Sequence, residues 1–131
     1  MKRGTTTENE ISRIIVECAI EVHRTLGGPG LLESVYEEAL VWELRQRGLD
    51  VLRQVPLPVH YKGQTLATPL KIDLIVSELV IVECKATTQY NDIFESQLLT
   101  YLRLSDRKLG LVINFGERLV KNGTHRVVNG L

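Results

Sequence analysis

Leu79-Val80-Ile81-Val82-Glu83-Cys84-Lys85-Ala86 is apolar at every position through Val82 and then turns abruptly charged. A short β-branched run without alternation marks a strand covered on both faces, the middle of a sheet with helices on either side. Side chains alternate along a strand, so Glu83 and Lys85 leave from one face while Val82, Cys84 and Ala86 leave from the other. Two charged groups at the end of a buried strand are costly unless something uses them.

Working outward, Ser77-Glu78 reads as a tight reversal out of a preceding strand over 68–76, which carries Asp73. A turn centred between Ser77 and Glu78 pairs Asp73 near Val82, so its carboxylate approaches Glu83 at the same end of the sheet. Residues 51–61 are β-branched but interrupted by Pro56 and Pro58, which suits an edge strand, and Lys62-Gly63-Gln64 is a turn. Downstream the spacing predicts a helix over 93–104, a strand over 109–115, a turn at Lys121-Asn122-Gly123 and a short strand over 126–128.

The N-terminal half is helical. Thr7-Glu8-Asn9-Glu10 is a capping box. Ile11, Ile14, Ile15, Cys18, Ala19, Val22 and Leu26 then recur at helical spacing over about 18 residues. Gly27-Gly28-Pro29-Gly30 ends that helix, and it lacks the Lys-Ser/Thr that would make a phosphate-binding loop of it. A second helix is expected over 31–47, with Leu32, Val35, Tyr36, Ala39, Leu40 and Leu44 on its apolar face and Gly48 as its left-handed terminus. The order α-α-β-β-β-α-β-β predicts an α/β fold, one domain over 1–131 with a mixed central β-sheet flanked by helices.

The chain has 131 residues, with 16 basic and 16 acidic ones, so no basic coat exists for nucleic acid. Any grip on phosphates falls to a local stripe, for which Arg53, Lys62, Lys71 and Arg103 qualify unless they are simply solvated positions. No apolar run reaches membrane-spanning length. Met1-Lys2-Arg3-Gly4-Thr5 carries no signal core, and Cys18 and Cys84 lack metal-ligand spacing. The expectation is a cytoplasmic protein with two reduced, buried thiols. His23 reads as a helix-end cap or a neighbour of the site, His60 and His125 as surface residues, and Trp42 as core or dimer packing rather than base stacking.

The chemistry lies in Asp73, Glu83 and Lys85. Two carboxylates supply hard oxygen ligands for Mg²⁺ or Mn²⁺, and a lysine orients the attacking water or meets charge developing on a phosphate. The bare acid-x-Lys pattern is weak, with about 0.7 chance matches expected in such a chain. Asp106-Arg107-Lys108 is a second match, in a polar loop with no strand to aim it. Glu83 and Lys85 pairing with each other at the sheet edge is the bland alternative.

Gly30-Leu31-Leu32-Glu33-Ser34-Val35-Tyr36 resembles the signature of the GxxExxY family, a small branch of the PD-(D/E)XK nuclease-like superfamily. The similarity extends to Glu21-Val22-His23-Arg24-Thr25-Leu26-Gly27, Val82-Glu83-Cys84-Lys85-Ala86, Gln97-Leu98-Leu99-Thr100-Tyr101-Leu102 and Val112-Ile113-Asn114-Phe115. It implies a restriction-endonuclease-like core and Mg²⁺- or Mn²⁺-dependent hydrolysis of phosphodiester bonds in DNA. Asp73 and Glu83 look like the metal-binding acids and Lys85 like the catalytic lysine. Glu33 resembles the helical glutamate that completes the metal site, with Glu37, one turn later, as the alternative. Gln97 and Tyr101 are similar to the Gln-x-x-x-Tyr element of RecB-like nucleases, which faces nucleic acid; an ordinary half-buried tyrosine is the other reading of Tyr101. Two departures stand out: Ile72, not proline, precedes Asp73, and Cys84 fills a usually apolar position. A non-catalytic nucleic-acid-binding or protein-interaction module that retains the nuclease fold, as a homodimer or with a partner protein, is the alternative function.

Overall fold

Thr7 caps the first helix in the manner its spacing demands. Its Oγ1 accepts from the Glu10 amide at 3.2 Å, and Glu10 Oε1 accepts from the Thr7 amide at 2.8 Å. The helix that follows, α1 (Glu8–Thr25), buries Ile11, Ile15, Cys18, Ala19 and Val22. The structure, a computed structural model, describes residues 7–131; the stretch 1–5 read above for the lack of a signal core lies outside them.

Helix α2 (Glu33–Gln46) closes as expected on Gly48, whose φ is +79°. The Gly48 amide donates to the Arg45 carbonyl and the Leu49 amide to the Leu44 carbonyl, the paired bonds of a Schellman terminus. Its buried face differs from the expected one. Tyr36, Glu37, Leu40, Val41 and Leu44 are buried, whereas Leu32, Val35 and Trp42 are exposed. The helix has turned so that an acid, Glu37, enters the interior.

The strands are β1 (Val51–Leu57), β2 (His60–Tyr61), β3 (Gln64–Thr65), β4 (Leu70–Val76) and β5 (Val80–Lys85). Helix α3 (Ile93–Ser105), β6 (Leu109–Asn114), a single 3₁₀ turn (Val120–Gly123) and β7 (Thr124–Val128) follow. The run 51–61 is therefore two pieces: β1 forms one edge of the sheet, and His60-Tyr61 pairs with Gln64-Thr65 in a separate small hairpin. The sheet runs β1-β4-β5-β6-β7, with β5 central, antiparallel to β4 and parallel to β6. This is the mixed α/β sheet of a restriction-endonuclease-like core. One face packs Leu74, Val76, Val80, Val82 and Cys84 against α1 and α2, and the other packs Ile72, Ile75 and Ile81 against α3. Among the described residues, no helix is long and apolar enough to cross a membrane.

Two local departures set the site. Ser77 and Glu78 both have left-handed φ, +53° and +62°, as a two-residue hairpin turn requires. Leu79 is then an extra residue, so Val76 faces Val80 and Leu74 faces Val82. Asp73 therefore comes level with Glu83, one residue beyond the expected partner Val82. The second departure lies between β1 and β4. Arg53 pairs with Leu74 and Val55 with Ile72, while Gln54 carries φ +56°. Ile72 and Leu74 are two residues apart yet join opposite cores. The strand thus swivels at Asp73, and that swivel frees its carboxylate from either core.

Candidate active site

The β4–β5 ladder ends at Leu74–Val82, and beyond it side chains take over the hydrogen bonds. The Asp73 amide donates to Glu83 Oε2 at 2.9 Å, and the Cys84 amide donates to Asp73 Oδ2 at 2.9 Å. Each carboxylate replaces a main-chain acceptor where the strands part, so both acids are fixed by backbone. Asp73, Glu37 and Cys84 bring one ligand atom each within 4.8 Å of one another, a carboxylate oxygen, a carboxylate oxygen and Sγ. Glu83 lies outside that trio, interlocked with Asp73 through the amide bond.

Helix α2 supplies Glu37, which is 3% exposed. Arg53 Nε donates to its Oε2 at 2.6 Å, and Gln54 Nε2 lies 3.1 and 2.9 Å from its two oxygens and 3.3 Å from Asp73 Oδ1. Glu33, in the first turn of α2, is exposed, but its carboxyl feels Lys85, Asp73 and Glu37. Of the two helical glutamates, the structure brings Glu37 against Asp73 and leaves Glu33 at the mouth. Tyr36 explains the rest of the Gly30–Tyr36 motif. Its hydroxyl donates to the Gly28 carbonyl at 2.7 Å and accepts from the Leu31 amide at 3.1 Å, while its ring stacks on Phe115 with centroids 4.7 Å apart. That tyrosine pins the glycine loop and so fixes where α2, with its two glutamates, begins.

Lys85 leaves the same face of β5 as Glu83, toward α3, and its Nζ sits 4.5 Å from the Phe94 ring centroid. Phe94 in turn meets Tyr90 edge-on, and Tyr90 stacks on His125 at 4.1 Å. The lysine is thus backed by an aromatic row that keeps its ammonium directed. Asn114, paired with Lys85 across the parallel ladder, is 1% exposed. It accepts from the amides of Thr87 and Gly116 and donates to the Thr87 carbonyl, clamping the chain as it leaves β5. A Cβ at Gly116 would lie 2.3 Å from the Thr87 carbonyl oxygen, so only glycine allows that approach. Tyr101 is buried against the sheet, with Glu83 and Asp73 in electrostatic reach; Gln97, one turn earlier, is exposed.

Burial governs the electrostatics. Glu83, 5% exposed, is pushed up to about 8, first by desolvation and then by the charge of Asp73. Asp73 is raised by desolvation against the opposing pull of the Cys84 amide, and Glu33 is raised by desolvation too. Burial holds the Cys84 thiol well above its ordinary range. Glu83, Asp73 and Glu33 are thus displaced toward protonation, chiefly by burial, and a positive charge beside them would favour their ionised forms. The carboxylates of Asp73 and Glu37 lie together and offer the oxygen donors that fit a hard divalent cation, with Glu83 beside them through its bond to the Asp73 amide.

Other residues fall elsewhere. His23 does not cap its own helix: it is buried, with Nε2 3.2 Å from the Phe115 carbonyl and 2.9 Å from that of Glu117. His60 is exposed and bonded to Thr65, whereas His125, expected to be a plain surface residue, is packed on Tyr90 and 3.6 Å from Glu95. Trp42 is 59% exposed and so no part of the core. Arg53, one of the proposed phosphate contacts, is taken up by Glu37. Lys62, Lys71 and Arg103 remain exposed. Cys18 and Cys84 are both free and buried. Sequence reasoning missed Gln54, Asn114 and Phe94, whose roles depend on neighbours distant in the chain. Pro56 and Pro58 drew the reading of 51–61, and the only local hint of Gln54 is its place just before them.

Comparison with known proteins agrees with the geometry. A family model described as the PD-(D/E)XK nuclease superfamily matches residues 9–127. No curated protein and no solved structure matches the chain. The match covers α1 and β7 to within one residue of their outer ends, with every element between and every acid of the cluster, and the chain belongs to the PD-(D/E)XK nuclease superfamily.

Proposed function

We propose that this protein is a cytoplasmic, Mg²⁺- or Mn²⁺-dependent nuclease that hydrolyses phosphodiester bonds in DNA, a single domain of the GxxExxY branch. The observation that carries the reading is the interlock of Asp73 and Glu83 at the open end of the β4–β5 ladder, two residues from Lys85. Asp73, Glu83 and Glu37 would hold the ion, with Glu33 at the mouth. When bound, such an ion offsets charge building on the phosphate and lowers the pKa of water. Lys85, directed by Phe94, holds the attacking water and meets the negative charge on the phosphate oxygen. Tyr101 and Gln97 lie along α3, on the side where the nucleic acid would pass. The zero net charge means that local contacts, rather than an overall field, would hold DNA.

The test is cleavage of DNA by the purified protein with Mn²⁺ beside Lys85→Ala. Loss of cleavage with unchanged folding supports the reading; equal cleavage by both proteins places the activity elsewhere. The exposed Trp42 favours a second reading, a protein-interaction module that retains the nuclease fold. That reading predicts stable association with a partner or a second copy and no Mn²⁺ binding.

A further inference from the structure

Gln54 stands in an uncommon backbone conformation and has no core to fill. Its φ of +56° is one that side-chain-bearing residues adopt at a cost, and such outliers persist where the surroundings hold them. Here the holder is visible. Nε2 lies 3.1 and 2.9 Å from the two carboxylate oxygens of Glu37 and 3.3 Å from Asp73 Oδ1. Three oxygens of two acids, one from α2 and one from β4, converge on a single nitrogen. Carboxylates only accept, so the amide must present its NH₂ group to them.

We propose that Gln54 is a displaceable stand-in for the cation, holding Glu37 and Asp73 together while no ion is bound and yielding those oxygens when one arrives. The inference rests on the ion-site reading above. An amide offers two protons and partial charge, enough to reduce the repulsion of two crowded carboxylates but weaker than a divalent ion. An ion held by these same three oxygens would stand where the Gln54 nitrogen now lies between them, so the two compete. Arg53, bonded to Glu37 at 2.6 Å, keeps that acid in place when the amide swings out. The amide therefore preserves the empty cage and at the same time lowers the affinity for the ion, because every binding event must break its bonds.

Gln54→Met keeps the length of the side chain and removes the donor. Calorimetric titration with Mn²⁺ should show the variant binding about tenfold more tightly than the wild type, the loss of a charge-assisted hydrogen bond from the ion-free state alone. Its ion-free melting temperature should fall, and its Mn²⁺-loaded one should match the wild type. In the wild type, the side-chain amide signals of Gln54 should move toward solvent-exposed values during titration with Mg²⁺. Equal or weaker Mn²⁺ binding by Gln54→Met would overturn the inference and leave the ion site standing, since Gln54 would then be a bystander or a ligand. Failure of both proteins to bind Mn²⁺ would remove the ion-site reading and this inference with it. Should Gln54→Met fold poorly, Gln54→Gly removes the same donor and relaxes φ, with tighter binding again expected and equal or weaker binding again contrary.

Discussion

The Asp73 amide donates to the Glu83 carboxylate across 2.9 Å, so one acid of the cluster is positioned by the main chain of the other. The arrangement keeps a buried carboxylate oriented, but it does not neutralise it. Glu83→Gln retains an acceptor for that amide and removes the charge. We expect ion-free stability at pH 8 to rise by about 1 kcal/mol, with cleavage reduced by a factor of about 100 or more. Thermal melts without metal and single-turnover cleavage with Mn²⁺ check the two halves.

The same burial makes the ion-free protein sensitive to pH. Glu83 has a folded pKa of about 8, above its ordinary 4.5, and Asp73 is raised as well. The folded state therefore holds protons that the unfolded chain releases. The stabilisation they provide is complete below the unfolded values and is lost as pH rises through the folded ones. Stability without metal, followed by melting temperature, should fall as pH rises toward about 8, with the unfolding free energy dropping by at most ~1.4 kcal/mol per pH unit for one group. Saturating Mg²⁺ should flatten that slope, since the ion replaces the protons. A flat ion-free profile would contradict it.

Phe94 is expected to act through Lys85. Phe94→Leu keeps most of the volume but loses the ring face beneath the ammonium, an interaction worth about 0.5–2 kcal/mol. Cleavage should slow by roughly tenfold at saturating Mn²⁺. The Mn²⁺ dissociation constant should stay unchanged, because the ring acts on the Lys85 ammonium. Parallel kinetics and titration separate the two effects.

The hairpin between the acids carries its own test. Glu78 sits at φ +62°, and its side chain, 72% exposed, makes only a 3.4 Å pair with Arg107. Glycine suits that backbone, and an exposed pair contributes little. Glu78→Gly should stabilise the protein by about 0.5–1 kcal/mol in urea melts without altering cleavage.

Sequence reasoning reached the central strand, because Leu79–Val82 has no polar face and could lie only in the middle of the sheet. The capping box at Thr7 and the Gly48 terminus were equally legible, being local chemistry. The register was not. A turn read from Ser77-Glu78 alone put Asp73 opposite Val82, and only the extra residue Leu79 moves it level with Glu83. The inward face of α2 was also missed, since periodicity favours Leu32 and Val35 over Glu37, and burial of an acid depends on Arg53 and Gln54 from another element. For the same reason Gln54 could not be picked out as part of the site. Its two partners lie 17 and 19 positions away, and its backbone conformation leaves no mark on its neighbours.

Whether these acids hold an ion is decided most directly by Mn²⁺ titration, followed by electron paramagnetic resonance, of the wild type and of Asp73→Asn. The substitution keeps the shape of the side chain while removing its charge. One bound Mn²⁺ in the wild type and none at the same concentrations in Asp73→Asn is the predicted outcome. Undiminished binding by the variant, or no binding by either protein, would contradict it.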